Sequence, residues 1–540
     1  MSAHLRLSPR PWLGLALSLP LLAAGACGDD SGFGSQADGA ASSASGGDGG
    51  DGGDSGSGVG VGQGGAQDFG QFKEILEQGQ IPGPDTIDDV GFFNEHKIEL
   101  PKPTCQQNVC LHGLYGEMGN MISGSTCITV LIGMNTAIDI SVLERPPLNL
   151  ALVIDTSGSM QGEPIAYVKE GLLRMLDELS STDRISFVTF GDNAVVRTEF
   201  VPGNDPALIQ AVNSLSVGGS TNLYDGLRTG FELVAAHADP ALQNRVIFLS
   251  DGVATAGITN DAKVLALGET FSKQGLGLTT IGVGTDFDVN LMRDLSEQGS
   301  GAFYFLQDPA AVQEVFVEEV TSFLVPLAED VSLTADIRDN YTLRAIRGTK
   351  LASIADNLGN IQIPNLQLAH RETVDDVDNG RRGGGGAILL ELLPRNGQPR
   401  TQDVGELHLR FRLPGTDTYV DQIAPIQTTV DPAQIDLEQG VFDNPSSEKG
   451  FVMLNIFVGF QMAATRASQG DLLGALYLLD GLEAAVEGWL VDNPDFDIED
   501  DLKYIRLFQQ NLVAHGATND PNSPNWVPPP PPPEPWPNGD

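Results

Sequence analysis

The sequence predicts an α/β protein: a doubly wound, mostly parallel sheet set into a β-sandwich, with a helical region behind it. Three observations carry this reading. Between residues 148 and 325, short apolar runs alternate with helical stripes, the pattern of parallel strands joined by crossover helices. On both sides of that segment the apolar residues recur with period two, as in half-buried strands. From 441 to 515 the periodicity becomes that of amphipathic helices.

The chain of 540 residues opens with a secretory pattern. Arg6 and Arg10 precede an apolar stretch from Trp12 to Ala26 that closes in small residues, so residues 1–26 are expected to be a signal peptide. Ala24-Gly25-Ala26-Cys27 resembles the bacterial lipoprotein cleavage box, which implies Cys27 as the lipidated first residue of the mature protein. Residues 27–92, with the Gly/Ser/Asp tract Gly46–Asp54, are expected to be a tether too poor in apolar residues to bury a core. Together these predict a body held to a bacterial envelope membrane, inner or outer, by its lipid anchor alone.

Residues 93–147 are expected to begin the β-sandwich, because Ile128, Val130, Ile132, Ile138, Ile140 and Val142 alternate. The α/β segment follows at 148–325. Leu148–Asp155, Arg184–Phe190, Val246–Ser250, Leu278–Val283 and Ala302–Leu306 read as its strands. Ile165, Val168, Leu172, Met175 and Leu179 form a helical stripe, and further helices are expected at Asp205–Leu215, Asn222–Ala236, Asp261–Gln274, Val289–Gln298 and Pro309–Phe323. Residues 326–440 return to strands, most cleanly in Leu407–Leu413, with Arg381–Gly386 as a hairpin connection. Residues 441–515 are expected to form a small helical bundle, broken at Asn493-Pro494, and 516–540 an extended Pro-rich tail.

The most informative string is Asp155-Thr156-Ser157-Gly158-Ser159, placed at the carboxyl end of an apolar strand. An Asp and two Ser at alternate positions of a tight loop can converge three oxygens on one hard divalent cation. Thr221 lies in the loop Gly218–Asn222 before a helix, and Asp251 follows the strand Val246–Ser250. In an open α/β sheet, loops at the carboxyl ends of strands are where ligands bind. These motifs resemble the von Willebrand factor A (vWA) domain and its metal-ion-dependent adhesion site. The resemblance implies a Rossmann-like fold with Asp155, Ser157, Ser159, Thr221 and Asp251 as metal ligands, Asp251 acting through a water. Mg²⁺ is the expected metal, with Ca²⁺ and Mn²⁺ as alternatives. It also implies an open coordination position that a protein partner fills with an Asp or Glu carboxylate. Asp225 lies outside the motif and is expected to cap a helix or turn. The wider layout is similar to bacterial surface vWA proteins related to inter-alpha-trypsin inhibitor heavy chains.

Composition narrows the partners. A net charge of −42 argues against nucleic acid, which needs basic patches. With Cys27 set aside, Cys105, Cys110 and Cys127 remain, so in an oxidising compartment one pair among them closes and one thiol is left. There is no H-e-x-x-H zinc motif and no G-x-x-x-x-G-K-[ST] phosphate loop. A binding module is therefore expected rather than an enzyme: a metal-dependent adhesion or capture lipoprotein. The alternative is a structural or assembly component of the envelope whose vWA-like contact does not exchange.

Overall fold

The computed structural model describes residues 59–62, 65–66, 69–138, 146–251, 253–284, 288–299, 301–306, 315–316, 326–369, 387–395 and 397–517. The signal peptide, Cys27, the Gly46–Asp54 tract, the loop Arg381–Gly386 and the Pro-rich run at 528–533 lie outside the described residues. So does the expected helix Pro309–Phe323, apart from Val315 and Phe316.

The chain begins with two short strands, β1 (Val59–Gly62) and β2 (Gly65–Ala66), and two helices, α1 (Gly70–Glu77) and α2 (Asp89–Asn94). Strands β3 (Cys110–Gly119) and β4 (Thr126–Thr136) follow. The α/β segment then runs β5 (Leu148–Asp155), α3 (Glu163–Asp177), β6 (Arg184–Phe190), β7 (Ala194–Pro202), α4 (Pro206–Asn213) and α5 (Leu223–Ala236). It continues β8 (Gln243–Ser250), α6 (Asp261–Ser272), β9 (Gly277–Val283), α7 (Val289–Gln298) and β10 (Ala302–Leu306). Next come β11 (Pro326–Ile337), β12 (Tyr341–Arg347), β13 (Ala352–Ala355), β14 (Leu358–Ala369) and β15 (Ile388–Pro394). The last elements are β16 (Asp403–Arg412), β17 (Tyr419–Gln427), β18 (Val441–Phe442), α8 (Pro445–Ser468), α9 (Leu472–Asp492) and α10 (Phe496–Ala514).

The α/β segment folds as a sheet in the order β2-β10-β9-β8-β5-β6-β7. All neighbours are parallel except β7, which runs antiparallel to β6. Strand β5 is central because every residue in it is buried. Its alternation divides it between two cores: Leu148, Leu150, Leu152 and Ile154 face one helical layer, while Ala151 and Val153 face the other. The chain leaves β5 for β6 on one side and later returns as β8 on the other, so the switch point of the sheet lies at the carboxyl end of β5. Strand β7 is not among the strands expected from the sequence. Val195 and Val196 of this edge strand are both exposed, so it lacks the clean alternation that marks a half-buried strand.

The strands flanking this segment join one antiparallel sheet, with β4 from before it and β11, β14, β15, β16 and β17 from after it. Their inner faces share a single core that includes Ile128, Val130, Leu333, Ile363, Leu390, Leu407 and Ile426. Helix α8 covers the outer face of this body, packing against Leu131 of β4 and Leu389 of β15. Asn444 caps α8 through a capping box with Ser447, and α9 and α10 pack beside it.

The expected tether over 27–92 is corrected for its described part. Strand β1 inserts between β4 and β14, and β2 pairs in parallel with β10, so the N-terminal segment adds a strand to each of the two sheets. Phe69, Phe72, Leu76, Phe92 and Phe93 are fully buried, with the Phe72 ring 5.0 Å from that of Phe460 in α8. The high Gly content of the region hides a helical stripe at Phe69, Phe72 and Leu76. Among the described residues, no helix is long and apolar enough to cross a membrane.

Candidate functional site

Strand β5 ends at Asp155, and the chain turns at once through Thr156 to a short 3₁₀ turn at Gly158–Met160. Asp155 has no exposed surface. Its Oδ1 accepts from the Ser157 backbone N–H at 2.8 Å, and its Oδ2 accepts from the Ser250 hydroxyl at 2.6 Å. Burial pushes the Asp155 carboxyl above the usual carboxylate range, and the hydrogen bonds from Ser250 and Ser157 offset part of that rise. The carboxylate is therefore desolvated but aimed, with two donors fixing its plane.

From Asp155 the oxygens run outward. Ser157 Oγ lies 3.0 Å from Ser159 Oγ, and Ser159 Oγ donates to Asp251 Oδ1 at 2.8 Å. Asp251 follows β8, the strand next to β5, which explains how a residue distant in sequence reaches the first loop. Asp155, Ser157, Ser159 and Asp251 thus stand together at the switch point. Ser159 is exposed while the other three are buried, so the group opens toward solvent at one end.

Thr221 stands at the start of α5, one residue before its cap Asn222. The loop that carries it is joined to the first loop through backbone hydrogen bonds. Gly218 N–H donates to Thr156 O at 2.8 Å, and Gly158 N–H donates to Gly219 O at 3.2 Å. Gly218 and Gly219 have φ of 155° and 88°, a conformation that favours glycine and lets the two loops lie this close. Asp225 stays outside the group. It does not cap α5 as expected, since Asn222 is the cap; its Oδ2 accepts from Ala194 N–H at 2.8 Å and its Oδ1 pairs with Arg228 at 2.7 Å, which ties the start of β7 to the helix.

Three residues that the motif does not contain also shape the site. Ser250 orients Asp155, as described. Asp192 accepts from both the N–H and the hydroxyl of Ser220, at 2.8 and 2.5 Å, and these bonds hold its carboxyl below the usual range. Thr255 accepts from the Thr221 N–H at 2.9 Å. Only Ser250 carried a signal in the sequence, as a hydroxyl at the end of a buried strand. The other two act across loops that are far apart in the chain.

The donor set consists of oxygens from two carboxylates and three hydroxyls. Among the described residues, no cluster of three or more His, Cys, Asp or Glu side chains is arranged to hold a metal, so thiolate or imidazole centres are not built here. Adjacent ligands of an octahedral Mg²⁺ with bonds of about 2.0–2.1 Å stand about 3 Å apart. The 3.0 Å and 2.8 Å separations along Ser157, Ser159 and Asp251 match that edge. The residues present therefore fit a small hard cation.

The cysteines are also placed. Cys105 and Cys110 form a disulfide, and Cys127, which is buried in β4, lies outside it.

Residues 149–318 match the von Willebrand factor type A domain family. An uncharacterized protein of Synechocystis sp. is 23% identical over 337 residues, covering 62% of this chain and 77% of that protein. The uncharacterized protein YfbK of Escherichia coli is 26% identical over 351 residues, 62% of this chain and 57% of its own length. Inter-alpha-trypsin inhibitor heavy chain H1 of Mesocricetus auratus is 32% identical over 197 residues, and the match spans only 21% of that relative. Among solved structures, a von Willebrand factor type A protein from Catenulispora acidiphila aligns with a TM-score of 0.47 at 16% identity, covering 75% of this chain and 91% of that one.

Proposed function

We propose that this chain, which carries a von Willebrand factor type A domain at residues 149–318, is a metal-dependent protein-binding component of a bacterial cell envelope. Domains of this family are commonly protein-binding modules rather than enzymes. The observation that carries the reading is the run of contacts that starts at buried Asp155, which accepts from the Ser157 N–H, and continues through the hydroxyls of Ser157 and Ser159 to the Asp251 carboxylate.

Asp155, Ser157, Ser159 and Thr221 would hold the cation, with Asp251 reaching it directly or through a water. Mg²⁺ is the metal we assign, because three neutral hydroxyls leave the net charge of the site low, with Ca²⁺ and Mn²⁺ as alternatives. When bound, it supplies a positive centre with an open position that a partner's Asp or Glu carboxylate can occupy. The chain's own groups do the rest. The neutral hydroxyls leave positive character on the centre, the buried carboxylate anchors its inner side, and exposed Ser159 marks the face open to a partner. Adhesion or capture is the role this chemistry supports.

The envelope placement rests on the sequence of the first residues, where a secretory pattern ends in Ala24-Gly25-Ala26-Cys27. We place the protein on the membrane through acylation of Cys27. Cys27→Ser would release it from the membrane fraction if this is right and leave it there if it is wrong.

The binding reading is tested with Mn²⁺ as a paramagnetic stand-in. Bound Mn²⁺ should enhance water-proton relaxation, because a coordination position stays open to solvent. A short glutamate-containing peptide should lower that enhancement, whereas its glutamine counterpart should not. Equal effects of the two peptides would overturn carboxylate coordination.

A further inference from the structure

We infer that Thr255, a residue outside the five-residue metal motif, is the positioning residue for Thr221, the ligand contributed by the second loop. This inference rests on the metal-binding reading above. Thr255 lies in the loop between β8 and α6 and is itself exposed. An exposed Thr ordinarily spends its hydroxyl on water, but here the hydroxyl is turned inward. Its Oγ1 accepts from Thr221 N–H at 2.9 Å, while Thr255 N–H and Ala256 N–H donate to Thr221 O at 3.0 and 3.2 Å. Both polar backbone groups of Thr221 are therefore held by one short stretch of the third loop.

Two further contacts make the clamp specific to this geometry. Gly257 has φ of 69°, and a Cβ built there would fall 2.2 Å from Asn222 Oδ1, so the third loop lies directly on the residue after Thr221. Asn222 in turn donates to Asp192 O through Nδ2 at 3.1 Å and to Gly191 O through its backbone N–H at 2.8 Å. Thr221 is thereby fixed on both sides of its backbone, while its hydroxyl has no partner among the described residues. A ligand held by its supporting contacts loses little freedom when it binds, and removing such support commonly costs 10- to 100-fold in metal affinity. The same bonds make the third loop, which begins at Asp251, move together with the second.

The test is Mg²⁺ titration by calorimetry on the full chain, comparing wild type, Thr255→Val and Thr255→Ser. Thermal midpoints are measured in chelator. Val keeps the shape of Thr but offers no acceptor, whereas Ser keeps the acceptor. Thr255→Val should bind Mg²⁺ about tenfold more weakly and Thr255→Ser within about twofold of wild type, while the metal-free midpoint of Thr255→Val falls only by the cost of the unpaired Thr221 N–H and its unfolding stays a single transition. Unchanged affinity in Thr255→Val would overturn the inference. So would an equal loss of affinity in Thr255→Ser, which keeps the acceptor. Failure of the wild type to bind Mg²⁺ would instead overturn the metal-site reading itself, so the two failures are told apart.

Discussion

The hydroxyl of Ser159 donates to Asp251 Oδ1 at 2.8 Å, joining the loop after β5 to the loop after β8 at the one end of the sheet where both strands finish. Ser159 is the exposed member of the group, so it contributes to the centre without supporting the core. Ser159→Ala should weaken Mg²⁺ binding by at least about tenfold, or ~1.4 kcal/mol. Its metal-free unfolding free energy should stay within about 0.5 kcal/mol of wild type. Calorimetry and denaturant unfolding check the two halves separately.

The N-terminal segment is tied to the C-terminal helices by a buried pair. His96 Nε2 and Asp501 Oδ2 are 2.7 Å apart, both side chains have no exposed surface, and His96 Nδ1 lies 2.7 Å from Phe92 O. Removing one partner leaves the other buried without its mate. Asp501→Ala should therefore cost about 3–5 kcal/mol in urea unfolding. A loss below about 1 kcal/mol would mean that water or neighbouring groups replace the carboxylate.

Glu297 of α7 sets a pH dependence. Burial, aided by Asp88, Asp294 and Asp89 against the opposing Lys350, pushes its carboxyl from 4.5 up to about 8. Between those values the folded chain keeps a proton that the unfolded chain has released. The contribution of Glu297 to stability is thus present below 4.5 and is lost as pH rises toward about 8, at up to about 1.4 kcal/mol per pH unit. Glu297→Gln should flatten this part of the profile, measured as unfolding free energy from pH 5 to 9. Parallel profiles for the two proteins would contradict the assignment.

The three cysteines beyond Cys27 should differ in reactivity. Without reductant, the denatured protein should be alkylated at Cys127 alone among Cys105, Cys110 and Cys127, and the folded protein at none of them, because Cys127 is buried. Reduction should cost about 2 kcal/mol, the loop-closure value for so short a loop. Peptide mass spectrometry after alkylation distinguishes the sites.

Much of the α/β domain was legible because its signals are local. The apolar runs of β5 and β10 and the stripe of α7 coincide with their elements, and Asp155, Ser157 and Ser159 occupy one loop. Thr221 and Asp251 were legible only through the motif's spacing. What the sequence hid depends on long-range contact. Thr255 and Asp192 have no local pattern, since their hydrogen bonds cross between loops. Strand β7 is an edge strand with two adjacent exposed valines, so its alternation is broken. The segment from Val59 to Asn94 looked like a tether because glycine dominates its composition nearby, yet its few large apolar residues meet the rings of α8.

Mg²⁺ calorimetry of the wild-type chain beside Asp155→Ala decides whether the site holds a metal. The wild type should bind one Mg²⁺ per chain saturably and the variant none, because Asp155 is the buried anchor of the oxygen group. Equal binding by the two proteins, or none by either, would contradict a metal site there.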